Sequence, residues 1–203
     1  IATPSDQAIF NEEAFRKNVL EGLAFVAENN HFLTMGVKPT RPEPGYGYIQ
    51  MGDVLCDNIY QVQSFTEKPE RDFAKIFMES GEFYWNTGLF LSNVSYLRKC
   101  FCKILPPVLR EYDKRYPEFS VETENAYMKE TFSSYPNISV DFGILEKPSN
   151  VCVMKCDFGW ADLGTWHSIY EAMQKGSNDN VIVDSDVLME DCHNTVVKVP
   201  KGK

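Results

Sequence analysis

The sequence lacks several things that would otherwise define it. No apolar run reaches the roughly 18–20 residues a membrane-spanning helix requires, and no signal-peptide pattern is present. Lys and Arg never gather into a block. With 20 of them against 29 Asp and Glu, the net charge is −9, which argues against binding to a nucleic-acid backbone. An anionic small molecule can still be held, by a few local cations rather than by a general positive field. Histidine is scarce: His31, His167 and His193 have no Cys or His partner at metal spacing, which removes zinc sites and serine-type triads. The six cysteines show no paired ligand spacing. Cys100/Cys102 and Cys152/Cys156 stand among apolar neighbours and read as reduced, buried thiols of a cytoplasmic protein.

What is present belongs to an ordinary globular chain, 43% hydrophobic and 24% charged, whose 203 residues suffice for one sizeable core or a domain plus part of another. Its first residue is Ile1, and Ile1-Ala2-Thr3 reads as the last piece of a buried strand. Val196-Val197-Lys198-Val199 alternates like a strand that has barely started. Both ends are expected to be cuts through a longer chain.

Strands and helices alternate between these ends. Asn11 caps a predicted helix with Glu12 and Glu13 in its first turn and an apolar stripe of Phe15, Val19, Leu23 and Val26. A strand is predicted over 31–37, a Pro- and Gly-rich loop over 39–47, a short extended piece over 48–51, and a half-buried strand around Tyr60-Gln61-Val62-Gln63. Pro69 opens the next helix, with Phe73, Ile76 and Phe77 as its inner face and Gly81 as its end. An apolar strand over 85–91 precedes a helix of Val94, Leu97, Phe101 and Leu105 that stops at Pro106-Pro107. The polar, aromatic stretch over 110–135 reads as partly helical and carries no assigned chemistry. A strand at Val151 and Val153 and a helix of Trp166, Ile169, Tyr170 and Met173 follow, before short Val-rich strands begin after Gly176. The alternation predicts an α/β domain with a largely parallel or mixed sheet, then a separate β module.

Four polar insertions into this pattern are candidate chemistry, and each has a structural reading beside it. Asp6 in Pro4-Ser5-Asp6 is either a turn residue or a hard-metal ligand at the carboxyl edge of a strand. Glu67-Lys68 is either a solvated charge pair at a helix entrance or a reader of hydroxyls and phosphate together. Asn86 inside an apolar strand either fixes a local turn or faces a polar ligand. Asp162, between two Trp, is either a helix cap or a carboxylate aimed into a site. Gly45-Tyr46-Gly47 alone reads as a flexible turn.

In order, Thr34-Met35-Gly36-Val37-Lys38-Pro39-Thr40-Arg41-Pro42-Glu43 with Gly45-Tyr46-Gly47-Tyr48-Ile49, Phe65-Thr66-Glu67-Lys68-Pro69, Trp85-Asn86-Thr87-Gly88-Leu89-Phe90, 139–147 (Ser139 to Lys147) and Gly159-Trp160 through Trp166 closely resemble the mannose-1-phosphate guanylyltransferases. The Glu-Lys-Pro and Asn-Thr-Gly elements alone indicate only the wider sugar nucleotidyltransferase group. Lys-Pro-Thr-Arg-Pro and Gly-Trp-x-Asp-Leu-Gly-Thr-Trp narrow the resemblance to the mannose branch.

The resemblance implies a Rossmann-like α/β nucleotidyltransferase domain with a mixed sheet over 1–176, lacking its first strands, and the start of a left-handed β-helical segment over 177–203. It implies transfer of a guanylyl group from GTP to mannose 1-phosphate, giving GDP-mannose and pyrophosphate. Asp6 and Asp162 would hold a divalent cation such as Mg²⁺ and converge on it. Glu67 and Asn86 would bond sugar hydroxyls, Lys68 would meet the sugar phosphate, Gly47 would allow close backbone approach to the sugar, and Lys147 would stand near the phosphate. Asp141 lies in a family motif without an assigned role. The partners implied are the two substrates, with neither nucleic acid nor membrane, and a homo-oligomer is left open. One departure is large: the family's Gly-Gly-x-Gly-Thr-Arg triphosphate loop is absent, so the 203 residues alone are expected to be inactive. Another is small: Gln7 stands where the family often has His. Transfer to another sugar or from another base, and a non-catalytic sugar-phosphate-binding or regulatory module, stay open as alternatives.

Overall fold

A computed structural model describes residues 1–145 and 150–200. Along the chain run β1 (Gln7–Ile9), α1 (Glu12–Glu28), β2 (Phe32–Val37), β3 (Gly47–Cys56), β4 (Ile59–Glu67), α2 (Arg71–Ser80), β5 (Phe83–Ser92) and α3 (Val94–Ile104). They are followed by α4 (Pro106–Arg115), α5 (Val121–Thr131), β6 (Val151–Cys156), β7 (Trp160–Asp162), α6 (Trp166–Ala172), β8 (Val181–Ile182) and β9 (Val196–Val197). These form two compact units, Ile1–Thr3 with Arg16–Cys156 and Pro4–Phe15 with Asp157–Lys203. The boundary expected after Gly176 falls inside the second unit.

The first unit is organised by β2, in which Phe32, Leu33, Thr34 and Met35 are wholly buried. A strand covered on both faces reads as a nearly continuous apolar run, as this one does. It pairs in parallel with β6 and antiparallel with β5. From β5 the sheet continues through β3 to β4, and β4 returns to β6 where Ile59, Tyr60 and Gln61 face Met154, Val153 and Cys152. The sheet is therefore mixed, as expected, but it closes on itself, and β2–β6 is its parallel pair among the described residues. Closure leaves the central strands with no bare edge. Each fully buried Leu, Ile, Phe or Met of its interior contributes about 1.5–3 kcal/mol relative to exposure. Outside the ladder, Ala2 exchanges both backbone bonds with Phe90, at 2.9 and 3.0 Å.

Several local expectations need correction. Asn11 does cap α1, its Oδ1 accepting from Ala14 N at 3.0 Å, but the buried face holds Gly22 and Val26 while Leu23 is exposed. Gly22 sits where an added Cβ would lie 3.0 Å from Leu33 Cδ2, so closeness of packing rather than side-chain size sets that face. β3 runs well beyond position 51; its outer half is bulged and exposed, which removes the alternation that would have marked it. In α2, Phe73 and Ile76 are exposed. Ala74 is the buried residue and Phe77 stacks on Phe83 at 4.1 Å, because two apolar stripes overlap at Phe77 and the small Ala74 permits the closer approach. Pro106 does not merely end α3 but supplies the first turn of α4, where its missing N–H is no loss. Nor are the thiols uniformly buried. All six are free, but Cys56 and Cys102 are exposed, one at the end of the outer hairpin strand and one on the outer side of α3. Burial pushes the Cys152 and Cys156 thiols up to about 12, which makes them inert.

A second cluster holds the turn that matters for the site. Phe32, Cys100, Ile144, Leu145 and Val151 pack together, with Tyr96, Leu97 and Phe101 against them. Ile144 and Leu145 belong to a π-helical turn, Asp141–Leu145, tied at its start by Gly143 N donating to Ser139 O at 2.8 Å. Asp141 thus projects from a segment anchored by its own buried end.

In the second unit β1 and β7 pair antiparallel. Asn11 N donates to Phe158 O, Phe10 N to Gly159 O, both at 2.9 Å, and wholly buried Phe158 meets Phe15 edge-on. Thr165 Oγ1 caps α6 by accepting from Ser168 N, so capping of that helix does not fall to Asp162. β8 and β9 form a short parallel pair.

The packing around β2 makes one substitution diagnostic. A Cβ at Gly36 would stand 2.8 Å from Val153 Cγ2 and 3.0 Å from Tyr84 Cβ, and the latter cannot swing away from its own backbone. Gly36→Ala should therefore cost about 1–3 kcal/mol of stability by chemical denaturation. An unchanged midpoint would contradict the packing described.

Candidate functional site

Three strands of the first unit meet at position 47. The β3 register sets Gly47 opposite Glu67 of β4 on one side and Asn86 of β5 on the other. Laterally opposed residues share a sheet face, so the Glu67 and Asn86 side chains flank a position that has none. An added Cβ there would lie 2.6 Å from Glu67 Oε2 and 3.4 Å from Asn86 Cβ. Gly47 thus makes room for the Glu67 carboxylate.

Asn86 opens a bulge. Between the pairs Thr34↔Phe90 and Gly36↔Asn86, β5 holds three residues where β2 holds one, and Gly88 turns the chain at φ 70. Asn86 Oδ1 accepts from Gly88 N and from Thr34 Oγ1, both at 3.1 Å. Thr87 Oγ1 donates to Met35 O at 2.8 Å, closing the bulge from its other side. The two alternatives for this Asn are therefore compatible: its oxygen fixes the turn, while Nδ2 donates to Asp141 Oδ1 at 3.0 Å. With both lone pairs of Oδ1 engaged, what the amide offers a ligand is the second N–H of Nδ2.

Glu67 ends β4, and its carboxyl is held above the usual range by burial first and by the Asp141 charge second. The Lys68 ammonium works against both, from 3.6 Å, but Lys68 is 67% exposed and such a pair contributes at most about 1 kcal/mol. Lys68 also has φ 48, a left-handed conformation unusual for a residue before proline. Its N–H donates to Tyr46 O at 3.2 Å, which ties it to the loop entering β3. That loop is itself braced. The Arg41 guanidinium pairs with Glu43 at 3.3 Å and lies over the rings of Trp85 and Tyr46, at 5.3 and 5.8 Å, and Glu43 N donates to Tyr48 Oη.

The structure therefore brings Gly47, Glu67, Lys68 and Asn86 together. It adds Thr34 and Asp141, neither of which had an assigned part. Thr34 had a signal, a hydroxyl in an otherwise apolar buried run. Asp141 had none beyond its motif, since 55 positions separate it from Asn86.

Asp6 and Asp162 belong to the second unit. They flank the same end of the β1–β7 ribbon: Leu163 N donates to Asp6 O, while Asp162 is registered opposite Gln7. Asp162 Oδ1 accepts from Gly164 N at 2.9 Å. Gln7 is not an empty replacement, because its Oε1 accepts from Trp160 Nε1 at 2.9 Å. Among the described residues no three His, Cys, Asp or Glu gather as a metal cage. Mg²⁺ commonly takes one or two carboxylates and completes its shell with phosphates and water, so a pair of Asp side chains is a donor set of the right chemistry for it. Lys147 lies outside the described residues.

The nucleotidyl transferase family model matches residues 4–179, and the chain belongs to that family. A mannose-1-phosphate guanylyltransferase of Sinorhizobium fredii is 33% identical over 90% of this chain and 36% of its own length. One from Escherichia coli is 30% identical over 100% of this chain and 44% of its own. The solved structure of a mannose-1-phosphate geranyltransferase from Thermus thermophilus superposes with a TM-score of 0.78 at 28% identity, covering 89% of this chain and 51% of that one. The chain thus spans less than half the length of these two curated relatives.

The raised Glu67 carboxyl gives a pH test. The folded state holds that proton more tightly than the unfolded chain, so the contribution is present below the unfolded value and lost as pH rises through the folded one. Glu67→Gln, which cannot ionise, should gain melting temperature relative to the parent as pH rises above about 4, where a free Glu carboxyl begins to ionise. A difference independent of pH would contradict this environment.

Proposed function

We propose that the whole protein transfers a guanylyl group from GTP to mannose 1-phosphate, releasing pyrophosphate and forming GDP-mannose. The observation that carries this reading is the row Glu67–Gly47–Asn86 with Lys68 at its end. It joins a hydroxyl acceptor, a hydroxyl donor and an exposed ammonium on one face of a sheet, which suits a phosphorylated sugar. The curated relatives, named as mannose-1-phosphate guanylyltransferases, favour mannose and guanosine.

In the proposed reaction a phosphate oxygen of mannose 1-phosphate attacks the α-phosphorus of GTP. The new P–O bond forms in line as the bond to the β-phosphate breaks and pyrophosphate leaves. Both reactants are anions, so the protein's tasks are alignment and local neutralisation. Glu67 and Asn86 would set the sugar's rotation by accepting from one hydroxyl and donating to another. Lys68 would hold the attacking phosphate; its left-handed backbone is the kind of local strain that persists where a side chain must be aimed. Asp6 and Asp162 would hold Mg²⁺, which when bound offsets the charge of the reacting phosphates. Under the same reading, 1–176 belongs to the transferase domain, and the β8–β9 pair begins a β-helical segment. The six free cysteines suit a cytoplasmic setting.

Lys68→Ala in the full-length protein should raise KM for mannose 1-phosphate by about tenfold or more, the loss expected for one charge-assisted hydrogen bond. KM for GTP should stay within about twofold, since the ammonium faces the sugar phosphate alone. Pyrophosphate release at varied concentrations of each substrate measures both. Equal damage to the two would overturn the assignment.

A further inference from the structure

Asp141 is the residue of the site whose presence is hardest to account for by charge. It adds a carboxylate beside Glu67 where Lys68 already has that acid to face, on a protein of net charge −9 and next to the proposed seat of an anion. Like charges so placed repel, and the repulsion is strongest where water is partly excluded. Yet Asp141 is firmly held. Its turn is fixed by wholly buried Ile144 and nearly buried Leu145, by the Gly143–Ser139 backbone bond, and by Phe142 N donating to Ser139 Oγ at 3.3 Å. The one side-chain bond assigned to it among the described residues is from Asn86 Nδ2.

We propose, resting on the reading of the site given above, that Asp141 is a positioning residue: its carboxylate fixes the plane of the Asn86 amide so that the second Nδ2 proton is presented to a sugar hydroxyl above Gly47. Gly88 N, which can only donate, holds the amide oxygen and forbids its exchange with nitrogen, while the Thr34 hydroxyl shares its one proton between that oxygen and Leu89 O. Two bonds to one atom still leave the amide free to tilt about it. The third bond, from the far end of the group to a rigid turn, removes that freedom. A carboxylate acceptor also polarises Nδ2 more than a neutral oxygen would. The companion effect falls on Glu67, whose neighbouring charge from Asp141 keeps its carboxyl more easily protonated.

The test compares Asp141→Ala and Asp141→Asn with the parent in the full-length protein. The alanine variant should raise KM for mannose 1-phosphate by about fivefold or more while kcat and KM for GTP stay within about twofold, the size of one hydrogen bond lost from binding. The asparagine variant keeps an acceptor oxygen, so its KM should stay within about twofold of the parent at neutral pH. Its acidic limb of kcat/KM should move to lower pH, because the charge beside Glu67 is gone. An alanine variant indistinguishable from the parent would overturn the proposal, as would an asparagine variant equally impaired or one whose acidic limb does not move. Hydrogen exchange of the Asn86 side-chain NH₂, followed by NMR on asparagine-labelled protein, needs no turnover. It should be slow in the parent and in Asp141→Asn and fast in Asp141→Ala. Equal exchange in all three would overturn the proposal even if the protein did not use these substrates, whereas inactivity of the parent with the exchange pattern intact would reject only the reading of its substrates.

Discussion

The side chain missing at position 47 is the constraint on which the site rests. β3 passes between β4 and β5 with backbone alone at this point, and a single added carbon would meet the Glu67 carboxylate at 2.6 Å. Because that carboxylate is the free end of a flexible side chain, a methyl at 47 would displace it rather than unfold the sheet. The position therefore governs where Glu67 stands. Its identity as glycine owes nothing to an unusual backbone angle, since Gly47 begins an ordinary strand. What it supplies is width.

Around that gap the polar groups form a chain rather than a scatter. Thr34, buried in the central strand, donates to Asn86; Asn86 donates to Asp141; Asp141 bears electrostatically on Glu67; and Glu67 pairs with Lys68. A buried polar network is stable only when its members satisfy one another, and here the members come from β2, β5, the turn at 141–145 and β4. The closed sheet and the cluster of Phe32, Ile144 and Leu145 hold these sources at fixed spacing. Charge is then used sparingly. One exposed ammonium, on a backbone held at φ 48, faces the Glu67 carboxylate on a chain with nine more acids than bases.

Much of this was legible in the sequence, for particular reasons. Asn86 interrupts an apolar strand and Glu67-Lys68 falls between a strand and a helix, so each stood out locally; Gly47 alone read as a turn, and only the segments around it, which matched one family in order, singled it out. The mixed sheet followed from the alternation of strand and helix. What stayed hidden depended on pairing between distant segments. Nothing near Asp141 announces Asn86, and nothing near Ile59 announces that β4 will close onto β6. Gln7 read only as a small departure from the family's His, whereas it accepts a hydrogen bond from Trp160, 153 positions away. The buried face of α2 was misjudged because Phe73 and Ile76 outweigh Ala74 in any count of apolar residues, although closeness of approach decided which was buried.

The central claim is that the row Glu67–Gly47–Asn86 seats a sugar whose phosphate reaches Lys68. A crystal structure of the full-length protein with mannose 1-phosphate tests it directly. The account predicts the pyranose ring above Gly47, one hydroxyl on Glu67, another on Asn86 Nδ2, and the phosphate within about 3 Å of Lys68 Nζ. A sugar bound away from these strands, or one turned so that its phosphate points away from Lys68, would contradict it.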